Sequence, residues 1–147
     1  MVYIGSDHGG FRLKESLKKY LVKKNIKFED LGAPALNAKD DYPDYAEKVA
    51  RAVAKNPDSH MGILMCRSGQ GMCIAANKVS GVRAASAWNL KLAYSTRNDD
   101  GANILCLATD YMSEKIALNI ATVFINTPFS KAARHGRRVL KIKKMEK

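Results

Sequence analysis

Short apolar runs alternate with amphipathic stretches along the whole chain, and that alternation leaves few folds open. VYIG at 2–5 reads as a strand punctuated by Gly9 and Gly10. Residues 11–24 then place Phe11, Leu13, Leu17, Tyr20 and Leu21 largely on one helical face. Ile26–Leu31 is a second strand, and residues 32–41, with Gly32 and Pro34, are a loop. Pro43 opens a helix to about Lys55, as proline does in a first turn. Gly62–Met65 is a third strand, followed by a loop and a helix to Val79. Val82–Ala87 and Asn103–Ala108 are further strands around a helix at Leu90–Arg97. Ser113 caps a helix to about Asn126 with Glu114 in its first turn. Pro128 interrupts, and a basic helix over 130–146 ends the chain. Strands this short and apolar on both faces belong to a buried parallel sheet. The expectation is an α/β doubly wound domain with five parallel strands and right-handed crossovers.

Size and charge narrow the partners. A chain of 147 residues is expected to be a single domain, 1–147, with a core of its own. Cys66, Cys73 and Cys106 show no CxxC or zinc spacing. With no signal peptide pattern, they point to a reducing, cytoplasmic setting and to no metal. No apolar run approaches the ~18 residues of a membrane span. The formal net charge of +11 raises a nucleic-acid reading. The lysines are scattered at helix-surface spacing beside Glu15, Glu29 and Glu146, which favours a solvated basic surface over a specific nucleic-acid face.

In such folds ligands bind at the carboxyl ends of the strands, where Asp7–His8, Cys66–Gly71, Trp88–Asn89 and Asp110 fall. Cys66 ends a strand and is followed by Arg67, Ser68, Gly69, Gln70 and Gly71 before a helix begins. That is a place where a thiolate is favoured and backbone N–H groups gather around an anion. A thiolate there suits abstraction of a carbon-bound proton while the loop holds the resulting oxyanion; a buried structural cysteine at a tight turn fits the same pattern. The loop is neither a Walker motif nor GxGxxG. His8 suits a phosphate or sugar hydroxyl, while Ser6 or Asp7 also serves as a helix cap. Arg134 and Arg138 are i,i+4 on the last helix, spaced as a phosphate clamp or as a surface pair. Asp99–Asp100–Gly101 reads as a turn before the fifth strand.

Taken in order, GSDHGGFRLK at 5–14, DYPDYA at 41–46, GILMCRSGQGMCIAANKVSGVRAA at 62–85, RNDDGANIL at 97–105 and RHGRRV at 134–139 resemble the ribose-5-phosphate isomerase B family, which includes the galactose-6-phosphate isomerase subunits. The resemblance covers essentially the whole length. It implies a Rossmann-like three-layer α/β/α fold and an aldose–ketose isomerase without cofactor. It also implies a homodimer or dimer of dimers with active sites at the subunit interface, and a last helix packed on a partner. Ribose 5-phosphate and ribulose 5-phosphate are the implied sugar-phosphate substrates, with another aldose or a six-carbon sugar phosphate as the alternative. Outside enzymes, the alternative is a basic anion- or nucleic-acid-binding module.

By the same resemblance Cys66 is the base of a cis-enediolate mechanism, and Ser68 stands where a catalytic hydroxyl is expected. Arg67, Gly69, Gln70 and Gly71 form the anion-stabilising loop. Asp7, His8 and Tyr42 line the substrate, and Arg134 and Arg138 hold phosphate. Four positions depart from the pattern. Asp99 stands for the ring-opening histidine and Asp100 for the asparagine after it; Asp110 replaces an arginine and Arg67 a glycine. A carboxyl serves as acid and base where a like charge beside it favours its protonated form, and Asp100 is such a neighbour. Asp99 is therefore the expected ring-opening group, and Arg67 with Asp110 the expected compensated exchange.

Overall fold

In the computed structural model, which describes residues 1–146, the alternation becomes one sheet between two helical layers. The strands are β1 (Val2–Ser6), β2 (Phe28–Asp30), β3 (Met61–Cys66), β4 (Ala84–Ser86) and β5 (Ile104–Ala108). All pairings are parallel, in the order β2-β1-β3-β5-β4. The helices are α1 (Phe11–Lys23), α2 (Tyr42–Ala54), α3 (Gln70–Ala76), α4 (Leu90–Asn98), α5 (Glu114–Asn126) and α6 (Ala133–Lys143).

The central strands alternate between two cores, as a period of two demands. Ile4, Ile63, Met65, Leu105 and Leu107 face one way, toward Leu13, Leu17 and Leu21 of α1, Ala93 of α4 and Ile120 and Phe124 of α5. Leu64, Cys66, Ile104 and Cys106 face the other way, toward Ala46, Val49, Ala50 and Val53 of α2 and Met72 and Ala76 of α3. The spacing 46, 49, 50, 53 is one helical stripe, and Pro43 in the first turn of α2 starts it. No helix among the described residues is long and apolar enough to cross a membrane.

Several element ends differ from the sequence reading. The edge strands β2 and β4 keep only three residues each, being half-covered. The helix after the Cys66 loop stops at Ala76, because Asn77 turns its side chain to the edge strand. Its Oδ1 accepts from Ala84 N and its Nδ2 donates to Ala84 O, each at 2.8 Å. The last helix runs over Ala133–Lys143 and not 130–146. Thr127 before Pro128 is held extended, and Ser130 forms a turn with its hydroxyl accepting from Ala132 N at 3.1 Å.

Two close approaches fix the loops above β1. A Cβ on Gly10 would drive into the Met65 carbonyl, so the start of α1 rests directly on the backbone of β3. Gly10→Ala is expected to lower stability by about 3 kcal/mol, the upper end for overpacking against unyielding backbone. Denaturant unfolding checks this, and an unchanged midpoint contradicts it. Lys14 is fully buried, and its ammonium donates to Asp30 Oδ2 at 2.6 Å and to the Ala33 carbonyl at 2.7 Å. Burial alone would push the Asp30 carboxyl up, but hydrogen bonds from Lys14 and the Gly32 N–H outweigh it and hold it below its usual range. The loop after β2 is thereby pinned at its root.

Candidate active site

From β1 the chain runs outward to β2, while β3 lies on the other side of β1, so a crevice opens between the carboxyl ends of β1 and β3. The Asp7–Gly10 turn forms one wall and the Arg67–Gly71 loop the other. A Cβ on Gly9 would lie 2.7 Å from Arg67 Cγ, so only glycine lets the two walls touch. Thr109, just past β5, donates from its hydroxyl to Gly9 O at 3.0 Å, or to Cys66 O at 3.3 Å, tying three strand ends together.

Cys66 is 5% exposed at the tip of β3. Gly69 turns the chain in the left-handed region, φ 74°, and this aims its N–H at the Cys66 sulfur, 3.1 Å away. The Gln70 N–H is engaged by Ser68 Oγ at 3.3 Å. A Cβ on Gly71 would meet the Tyr42 ring at 2.6 Å, so glycine there lets Tyr42 lie on the loop. Cys66, Ser68, Gly69, Gln70, Gly71, Tyr42, Asp7 and His8 are thus gathered at one crevice. A sulfur that accepts the Gly69 N–H at the mouth of this loop is chemically suited to take up a proton beside a developing negative charge.

The other wall holds a residue that sequence reasoning missed. Asp40 Oδ1 accepts from His8 Nδ1 at 2.6 Å and from the His8 backbone N–H at 3.1 Å. The Asp40 side chain is 5% exposed. Nothing in the motif distinguishes Asp40 from Asp41 beside it; the loop's path decides. Asp7 is buried and caps the turn through Gly10 N at 3.1 Å, so it serves as the cap as well as lining the crevice. Ligand atoms of Asp7, His8 and Asp40 lie within 4.8 Å of one another. Asp7 is engaged by Gly10 N, and His8 and Asp40 are engaged by each other.

Asp99, Asp100, Arg134 and Arg138 are not at this crevice. Asp99 caps the end of α4, at the amino edge of β5, whereas Cys66 pairs with Ala108 at that strand's carboxyl end. Four steps of about 3.3 Å each put roughly 13 Å of strand between the two edges. At the amino edge Asp99 Oδ1 lies 3.7 Å from Nδ1 of the buried His135, and Arg134 Nε donates to His135 Nε2 at 3.1 Å. Arg134, His135 and Asp99 therefore form a second cluster, with Arg138 one turn further along α6. His135 is the member that spacing alone did not single out.

Arg67 and Asp110 do meet: Nη1 and Oδ2 are 3.7 Å apart, and Asp110 N donates to Arg67 O at 3.0 Å. Both side chains are at least half exposed, so the ion pair is worth at most about 1 kcal/mol, and Arg67 is readily drawn to another anion.

Comparison with known proteins gives this arrangement a context. Residues 2–142 match the family model described as Ribose/Galactose Isomerase. A probable ribose-5-phosphate isomerase B of Mycoplasma genitalium is 42% identical over 146 residues, 99% of this chain and 95% of the relative. A ribose-5-phosphate isomerase B of Mycolicibacterium paratuberculosis is 40% identical over 94% of this chain and 86% of its own length. The crystal structure of the Mycoplasma genitalium ribose-5-phosphate isomerase B with bound ribulose-5-phosphate superposes with a TM-score of 0.95 at 41% identity, covering 99% of this chain and 95% of that one.

Proposed function

The chain belongs to the ribose/galactose isomerase family, and from that premise we propose the reaction and the role of each residue. It is an aldose–ketose isomerase that interconverts ribose 5-phosphate and ribulose 5-phosphate. The observation that carries the mechanism is Cys66, placed at the switch-point crevice with the Gly69 N–H on its sulfur. In the aldose-to-ketose direction the Cys66 thiolate removes the proton on C2 of the open-chain sugar. The electron pair moves into the C1–C2 bond, and negative charge collects on the C1 oxygen in a cis-enediolate. The 67–71 loop and the Ser68 hydroxyl stabilise that charge; the proton of the C2 hydroxyl passes to the C1 oxygen, the thiol returns the carbon-bound proton to C1, and C2 becomes the carbonyl. Asp7, His8 and Tyr42 orient the sugar, and Arg67 meets its anionic end.

Ring opening and the remaining phosphate contacts come from the Asp99, Arg134 and Arg138 cluster of a second copy, because one chain holds the two clusters on opposite edges of its sheet. The homodimer is the smallest assembly that completes the site. Ile142 and Met145, exposed on and just after α6, are apolar side chains available to a partner. Three free thiols suit the reducing cytoplasm as the place of reaction.

A panel of aldose phosphates tests the substrate, with ribose 5-phosphate expected to turn over fastest. Preference for a six-carbon phosphate would move the assignment within the family. Asp99→Asn is expected to lower turnover of ribose 5-phosphate by about a hundredfold, the contribution of one positioned acid–base group. Unaltered turnover would show that Asp99 does not open the ring.

A further inference from the structure

We infer that Asp40 is the positioning residue of His8, holding its proton on Nδ1 so that the Nε2 lone pair is offered to a hydroxyl of the sugar phosphate. This rests on the reading of His8 as a substrate ligand. One carboxylate oxygen accepts both the His8 ring Nδ1 at 2.6 Å and the His8 backbone N–H at 3.1 Å, which fixes the ring and the start of the turn together. A carboxylate accepts only, so in the neutral ring the proton sits on Nδ1 and Nε2 keeps its lone pair. The Asp40 side chain is almost fully buried. The carboxylate also bears on Tyr45, whose phenol is raised by burial first, then by the charge of Asp40 and a hydrogen bond with it, and then by the charges of Asp44 and Asp7.

The route by which Asp40 arrives supports the same role. The loop is rooted by Lys14, which donates to the Ala33 carbonyl, and by Ala33 N, which donates to Ser6 O at 3.0 Å. It closes in a turn with Asp40 N on Asn37 O at 3.1 Å, directly before α2 delivers Tyr42 to the crevice. A loop whose tip is exposed thus has a buried root and a last residue whose side chain turns inward onto His8.

Nitrogen-15 imidazole spectra of the full chain decide the tautomer, with His8→Gln used to assign the signal among His8, His60 and His135. Above the imidazole titration the wild type is expected to show His8 protonated on Nδ1, and Asp40→Ala to show the Nε2–H form. In turnover, Asp40→Ala is expected to raise KM for ribose 5-phosphate roughly tenfold or more, as loss of an outer-shell histidine partner does. In the His8→Ala background the same change is expected to add nothing, because its effect passes through His8. Asp40→Asn retains an acceptor and is expected to return KM to within about threefold of wild type. It also carries the test should Asp40→Ala fail to fold. An unchanged His8 tautomer in Asp40→Ala, or a full Asp40→Ala effect without His8, overturns the inference. Absence of turnover in the wild type would instead sink the isomerase reading, and the spectra would still decide the tautomer.

Discussion

Cys66→Ala is expected to lower kcat for ribose 5-phosphate by about a thousandfold while leaving a folded protein. A positioned general base contributes about 10²–10⁴ in rate, and in the proposed mechanism a single sulfur serves both carbon centres. The structural cost is small by comparison. The recorded polar contact of Cys66 is the Gly69 N–H at 3.1 Å, and its neighbours Leu64, Met72 and Cys106 keep their own packing. Leaving that one donor unpaired costs roughly 1–3 kcal/mol of stability, which denaturant unfolding measures separately from rate. Turnover within tenfold of wild type would remove Cys66 from the proton path. Thiol labelling is a poorer guide than rate. Cys73 is pulled down to about 7 by a hydrogen bond from the Cys106 thiol, and it will compete for any alkylating reagent. The Cys106 thiol is pushed up in turn, by that same hydrogen bond and by its burial.

Two inactive variants are expected to restore one another. Cys66→Ala keeps the amino-edge cluster, and the double variant Arg134→Ala with Arg138→Ala keeps the crevice. If each site combines the crevice of one chain with the amino-edge cluster of another, a mixed dimer holds one intact site and one doubly damaged site. Random exchange of equal amounts makes half of the dimers mixed, so activity is expected to return to about a quarter of wild type. No recovery after exchange, shown to have occurred by tagging one variant, would mean that each chain serves itself. The magnitude makes the test decisive, since each parent is expected to lie at least a hundredfold below wild type.

The sequence pattern foretold the elements better than their arrangement. Five parallel strands, Pro43 at the head of α2, Ser113 at the head of α5 and the Cys66 loop are local matters of period, cap and turn, and they stand where expected. The order β2-β1-β3-β5-β4 is not local, and it decides which loops share a crevice. Asp40 and Lys14 look like any loop aspartate and helix lysine. Only a chain folded back over β1 buries both and turns one toward His8. Asp99 and Cys66 were foreseen as parts of one site, and each is placed by its own element. What spacing did not show is that α4 carries Asp99 back to the far edge of the sheet.

If a second copy completes the site, that separation makes concentration itself a control on output. A site completed only by a neighbour vanishes on dilution below the dissociation constant of the pair, with every chain still folded. Specific activity is then expected to rise with protein concentration and level off, a curve that an enzyme with a self-sufficient site does not show. In a cell the rate would climb more steeply than the amount of protein at low expression. A truncated copy lacking α6 but able to pair through other surfaces would act as a poison, occupying an intact chain while returning no phosphate clamp.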